Sequence, residues 1–336
     1  MNGSAFEVNK RCVHTTLALI DRTPSLLDTT AAGLDDRFRL RAAHPVNDGN
    51  GSAFYAGRLA APLARAFPMG EERTDIALSG QFAGGHWLAR SGHVAGVFAA
   101  SLFGIPATAR VAFLRFGRFD RFEGNRLAET LLLFDLPALM MQAGCWPLSP
   151  PLAPLLIAPG PATHDGVVDG ADPSADAASL ALVEAMIGGL HRFAGGELKA
   201  MGMRDYWTDD FWWFGPAPIG NFRGHADYER GHQGPFLAAF PDRVGGNHAA
   251  RIAERGYIAS TGWPSITATH SGGDWLGLPP TSRRVTMRVM DFWRRDGDRL
   301  AENWVMIDIP DLLLQMGIDV FARMAALLPQ GRTDHG

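Results

Sequence analysis

Cysteine is almost missing from this chain: 336 residues carry two, Cys12 and Cys145. Two cannot build a disulfide framework, and their separation is not that of a zinc site, so no metal site is expected. No run of about 18 uninterrupted apolar residues is available to span a membrane. The opening stretch MNGSAFEVNKRCVHTT has no apolar core of the kind a signal peptide needs. Neither sign of charge is in excess, the formal net charge being −4, so neither nucleic acid nor a membrane surface is an expected partner. The glycine-rich GGHWLARSGHVAG at 84–96 lacks the order of a phosphate loop. No Gly-x-Ser-x-Gly elbow and no His/Cys nucleophile pair is present. What is left is a soluble globular composition, 46% hydrophobic and 10% aromatic, expected in the cytoplasm and long enough for two domains.

The chain contains itself twice. Residues 104–144 align without a gap on 277–317, at a constant offset (277 − 104 = 173; 317 − 144 = 173), with 17 identities. Chance would give roughly two or three. At the same offset Phe67-Pro68 falls on Phe240-Pro241, and His93 pairs with His270 if four extra residues are allowed (270 − 93 = 177). Between the copies, proline and glycine crowd PLSPPLAPLLIAPGPATHDGVVDGADP, which suits neither helix nor central strand. The expected organisation is a degenerate first domain at 14–148, a Pro/Gly/Ala-rich linker at 149–175 and a second domain at 176–328.

The second copy has a readable plan. Leu180, Val183, Ile187 and Leu190 share one side of a helix predicted over 176–195. The aromatic stretch DYWTDDFWWFGPAPIGNFRG reads as a long loop, with Asp209-Asp210 as a turn or cap. A second helix is expected over 225–240, then short strands at 249–254 and 257–270. Longer strands at 284–295 and 299–308 are joined by Asp296-Gly297-Asp298, a hairpin signal. A terminal helix opens at Pro310-Asp311 and runs through DLLLQMGIDVFARMAALL. Helices followed by an antiparallel, curved sheet give an α+β fold.

One residue breaks the pattern. Val285, Met287, Val289, Asp291 and Trp293 share a strand face by alternation, which sets a carboxylate among apolar side chains. A desolvated carboxylate has a raised pKa and becomes a better base at neutral pH. The bland alternative is a wet strand end paired with Arg294 or Arg295. The equivalent position in the first copy is Arg118 (291 − 173 = 118), with Asp120 two residues on, so that copy cannot use the same acid. His270, on a face with Ile266 and Ala268, is the natural proton-holding companion, although His93 in the other copy argues equally for a structural duty. Glu302 matches Glu129 inside Arg-Leu-Ala-Glu, which favours a fold-level ion pair with Arg283 or Arg299. Asp308 and Asp135 read as helix N-caps. His225 and His232 are taken as surface or pocket-rim residues, since no third ligand lies nearby.

FPDR at 240–243, THSGGDWLGLPPTSRRV at 269–285, RRDGDRLAENW at 294–304 and DLLLQMG at 311–317 resemble the SnoaL-like polyketide cyclases of the nuclear transport factor 2-like superfamily. Ser282 stands where the family pattern has glycine. The resemblance covers most of 176–325, and 50–145 in eroded form. It implies two tandem cone-shaped α+β barrels, each a curved sheet wrapped on helices around an apolar pocket. The sheet-to-sheet pairing that family members use as dimers can then be met within one chain as a pseudo-dimer, which leaves further self-association open. It also implies cofactor-free acid/base chemistry, an intramolecular aldol cyclisation or related proton transfer on an apolar carbonyl compound, polycyclic ones included. By position the acid/base would be Asp291, with His270 beside it. Trp207, Phe211 and Trp212 belong to the aromatic stretch set across the pocket, and Trp275 comes from the sheet side. Trp213, Phe214, Tyr257, Trp263, Met287, Trp293 and Trp304 would bind the substrate, since large flat side chains suit a planar ligand. The alternative is a non-catalytic small-molecule-binding or scaffold protein of the same fold.

Overall fold

A computed structural model describes residues 15–153, 158–190, 192–193 and 197–328. Two six-stranded sheets dominate it. The first runs in the order β2-β1-β6-β5-β4-β3, built from β1 (Arg39–Ala42), β2 (Gly49–Asn50), β3 (Glu71–Phe82), β4 (Gly85–Val97), β5 (Val111–Glu123) and β6 (Arg126–Phe134). The second repeats that order as β8-β7-β12-β11-β10-β9, from β7 (Trp207–Phe214), β8 (Asn221–Arg223), β9 (Ala250–Glu254), β10 (Tyr257–Thr269), β11 (Arg284–Asp296) and β12 (Arg299–Ile307). In each sheet one pair is parallel, β1 with β6 and β7 with β12. The architecture is two tandem α+β barrels.

The elements form where local chemistry asks for them. The β11–β12 hairpin turns at Gly297, φ 58°, and the β5–β6 hairpin at Gly124, φ 60°, a conformation that glycine adopts without steric cost. Asp308 caps the helix Ile309–Gln315 by accepting from the Asp311 amide, and Asp135 does the same for Leu136–Gln142 through the Ala138 amide. Asp172 accepts from the Ala175 amide at the start of the helix Pro173–Leu190. Three expectations are corrected. The aromatic stretch after residue 206 is strand β7, recruited by parallel pairing with β12, and Asp209 and Asp210 are its exposed residues, not a turn. The second helix is two short helices, Gly224–Tyr228 and Gly234–Ala239, joined by a π-turn at Glu229–Gln233. The terminal helix is interrupted at Gly317, φ 89°, and restarts as Val320–Leu327 under an Asp319 cap.

The duplication is also a contact. The two sheets pack face to face through Ile76, Leu78, Phe119, Leu131 and Leu133 on one side and Ile252, Met290, Phe292, Trp304 and Met306 on the other. Phe119 and Phe292, equivalent residues (292 − 119 = 173), touch each other with centroids 5.6 Å apart. Equivalent residues meet in this way only near a two-fold axis, so the arrangement is isologous, as in a dimer. Polar ties obey the same symmetry. Asp135 accepts from the Ala217 amide at 3.0 Å, and Asp308 accepts from the His44 amide at 3.1 Å (308 − 135 = 173; 217 − 44 = 173). Symmetry is broken at Gly117, whose counterpart is Met290: a Cβ on Gly117 would stand 3.1 Å from the Met290 sulfur. The missing side chain makes room for the longer one.

Candidate functional site

The concave side of the second sheet holds a cavity of about 580 Å³. Its floor is the face of β11 that alternation marked, with Met287, Val289, Asp291 and Trp293 all lining it. Asn303 and Val305 continue that face on β12, and Trp207 and Trp213 contribute from β7. Tyr228, His232, Gln233 and Phe236 come down from the π-turn segment. A bulge in β10 between Gly262 and Ile266 opens the sheet beside β11 and lets Ser265 reach the wall.

Asp291 is the acidic group of the floor. Its cross-strand neighbours are Ser260 on β10 and Val305 on β12. Asn303 Nδ2 donates to its Oδ1 at a long 3.4 Å, and also to the Phe292 carbonyl at 3.1 Å. Among the described residues no guanidinium grips it: Arg251 is engaged by Glu184 at 3.4 Å and by the His248 ring. Asp291 is half-buried and faces the cavity, yet protein atoms surround it closely enough to strip most of its hydration. That burial pushes its pKa up to about 7, against smaller opposing effects from Asn303 and the positive charge of Arg251. Burial, with the Asp291 charge second, likewise keeps the Tyr228 phenol protonated well above its ordinary range. His232 lies flat on Trp213, ring centroids 4.2 Å apart, and burial drives its pKa down to about 3, so it is a neutral wall residue.

The structure divides the other candidates. Trp213, Met287 and Trp293 share the cavity with Asp291. His270 does not: it is fully buried between Phe240, 5.2 Å away, and Thr281, whose hydroxyl is 3.3 Å from Nδ1. Nor is His93 its counterpart. The His270 amide bonds the Arg283 carbonyl as the Phe98 amide bonds that of Arg110, so Phe98 occupies its place, and His93 pairs instead with Asp75 at 2.9 Å. Phe214, Tyr257 and Trp304 point the other way, into the seam between the sheets. There Tyr257 donates to Asp165 and Trp304 to the Pro159 carbonyl. Trp263 is carried out by the β10 bulge and lies under the Arg288 guanidinium at 4.8 Å. Glu302 is ion-paired, but with Arg294, as Glu129 is with Arg121, and not with Arg283 or Arg299. His225 and His232 are both buried. Tyr228, Gln233, Asn303 and Ser260 are wall residues that alternation alone did not mark; the one available signal was Asn303 standing two residues from Val305 on a strand opposite Asp291.

Residues 196–316 match the family model described as SnoaL-like polyketide cyclase. The C-terminal half is a SnoaL-like domain. The N-terminal half, with the same strand order and offset, is its degenerate second copy. Among solved structures, the chain is similar to AclR, a putative hydroxylase from Streptomyces galilaeus, at 25% identity and a TM-score of 0.34 over 42% of this chain and 82% of that one. It is similar also to IdmH, a putative polyketide cyclase from Streptomyces antibioticus, at 21% identity and a TM-score of 0.33 over 41% and 99%. A putative SnoaL-like polyketide cyclase from Jannaschia sp. CCS1 matches at 15% identity and a TM-score of 0.36 over 46% and 99%. No curated protein matches the chain. Within the described residues no helix is long and apolar enough to cross a membrane, and no cluster of His, Cys, Asp and Glu could hold a metal ion.

Proposed function

We propose that the SnoaL-like domain is an enzyme of the polyketide cyclase type, moving a proton next to a carbonyl of an apolar ring compound, with Asp291 as the base. One observation carries this: a carboxylate with a single, long hydrogen bond among the described residues stands on the floor of an apolar cavity, where burial raises its pKa to about 7. A structural aspartate is tied down, as Asp308 is by two amides and Arg288. Asp291 is not. A base with its pKa near the working pH combines a useful ionised fraction with real proton affinity. As the carbonyl gains negative charge, the protonated Tyr228 phenol and the Asn303 amide are the donors at hand to stabilise it. The flat faces of Trp213 and Trp293 would hold the ring system. The same groups serve aldol closure or isomerisation, because the fold does not select between them.

The test uses α-proton exchange of a benzo-fused bicyclic ketone, 2-tetralone, in heavy water, followed by NMR. Wild-type protein is expected to speed exchange with a rate that climbs through pH 7 as Asp291 ionises. Asp291→Asn should remove roughly 10²–10⁴-fold of that acceleration. Equal exchange by both proteins would leave the fold with a ligand-binding role alone.

A further inference from the structure

The cavity has a charged rim as well as an acidic floor. Arg243 lines it beside Pro241, Val244 and Phe193. One of its five N–H donors is used, Nη2 to the Leu190 carbonyl at 3.3 Å, and its guanidinium stands 5.3 Å over the Phe193 ring. Among the described residues it forms no ion pair, and burial rather than any neighbouring charge perturbs it. The degenerate copy offers a control. The Arg243 amide bonds the Phe240 carbonyl as the Gly70 amide bonds that of Phe67, so Gly70 is its counterpart (243 − 173 = 70). A Cβ at Gly70 would lie 2.8 Å from Phe67 Cβ, so that copy has no room for any side chain there. The cavity that holds Asp291 has a cation at its mouth, and the equivalent position of the first copy has none.

We infer that Arg243 selects ligands bearing an anionic group, so that the substrate is an apolar ring compound with a carboxylate or similarly charged substituent left at the cavity mouth while the reacting carbon reaches Asp291. This rests on the reading of the cavity as the substrate site. A half-desolvated guanidinium is matched by a planar anion, which it can bind through two parallel N–H donors. The bland role, clamping the end of the helix Pro173–Leu190, uses a single donor and does not explain the remaining ones.

Two fluorescent probes separate the roles: 1-anilinonaphthalene-8-sulfonate, an anion, and N-phenyl-1-naphthylamine, its neutral core. In titrations Arg243→Gln is expected to weaken the sulfonate about tenfold while moving the neutral probe less than about twofold. Arg243→Lys keeps the charge and should keep most of the preference. Added salt should weaken sulfonate binding to the wild-type protein and leave the neutral probe unchanged. Both probes weakening together would reduce Arg243 to a helix clamp, and neither responding would overturn the inference outright. Asp291→Asn should abolish ketone exchange and leave the Arg243-dependent preference in place, so the acid/base reading and the anion reading can fail separately.

Discussion

The two halves of this chain share a strand order and a residue offset and differ in what fills the bowl of the sheet. In the second half the floor carries Asp291, Trp293 and Ser260 around empty space. The equivalent positions of the first half are Arg118, Asp120 and Arg90, and these join one another. Arg118 binds Asp120 at 2.8 Å, Arg90 binds Asp120 at 3.4 Å and Glu72 at 3.2 Å, and Thr130 donates to Asp120 at 2.5 Å. Arg118 then reaches the Pro24 carbonyl at 2.8 Å, and the Leu26 amide reaches Glu72, so the segment before β1 is drawn over the bowl. Above them Leu59 and Ala60 replace His232 and Gln233. A floor whose carboxylates are each held by buried guanidinium groups has no free acid to offer a ligand. Asp291 is such an acid.

The difference can be attacked at several strengths. The largest effect is expected in catalysis: Asp291→Asn should cost about 10²–10⁴-fold in proton transfer, whereas Arg118→Met should leave the rate intact. Next comes the plug itself. Asp120→Ala leaves the buried Arg118 guanidinium without a counter-ion, Arg90 keeping Glu72, and should cost about 3–5 kcal/mol in a denaturant titration, with the second cavity's probe binding preserved wherever the fold survives. Phe292→Ala in the seam should lose about 3 kcal/mol. Combined with Phe119→Ala it should lose less than the sum, because the two rings touch and their contact can be removed only once.

A pH comparison sharpens the contrast. The folded pKa of Asp291 is raised from 3.8 to about 7, so its protonated form favours the fold fully below 3.8 and that contribution is lost as pH rises through 7. Asp291→Asn should therefore gain stability relative to wild type between pH 4 and pH 8, by on the order of 2 kcal/mol allowing for solvent reaching the carboxylate through the cavity. Thermal melts at the two pH values would read the drift. The smallest effect is at the hairpin: Arg121→Ala breaks a partly exposed pair with Glu129 and should cost less than about 1 kcal/mol.

The hairpins, the two caps and the face that carries Asp291 are legible in the sequence, because each depends on neighbours one to four residues away. Strand β7 is not, since a stretch holding Pro216, Gly215 and paired aspartates looks like coil until β12 is present to pair with it. The direction of Phe214, Tyr257 and Trp304 is hidden for another reason. In a sheet with one wet face, alternation separates core from solvent. Here both faces are apolar, one toward the cavity and one toward the sister sheet, so alternation sorts residues into two sets without saying which set meets a ligand. His93 and His270 share a residue type but not a register, and the register equates His270 with Phe98.

By itself, then, the order of residues determined the duplication, the α+β plan and the singular carboxylate of β11, all of them set by local spacing and by an offset of 173. Only the tertiary structure decided that the first bowl carries paired charges, that three of the six aromatics expected to bind substrate serve the seam, and that Arg243 stands at the mouth of the second without an ion pair among the described residues. Those outcomes depend on which surfaces meet across hundreds of residues, and a linear pattern carries no record of what lies opposite.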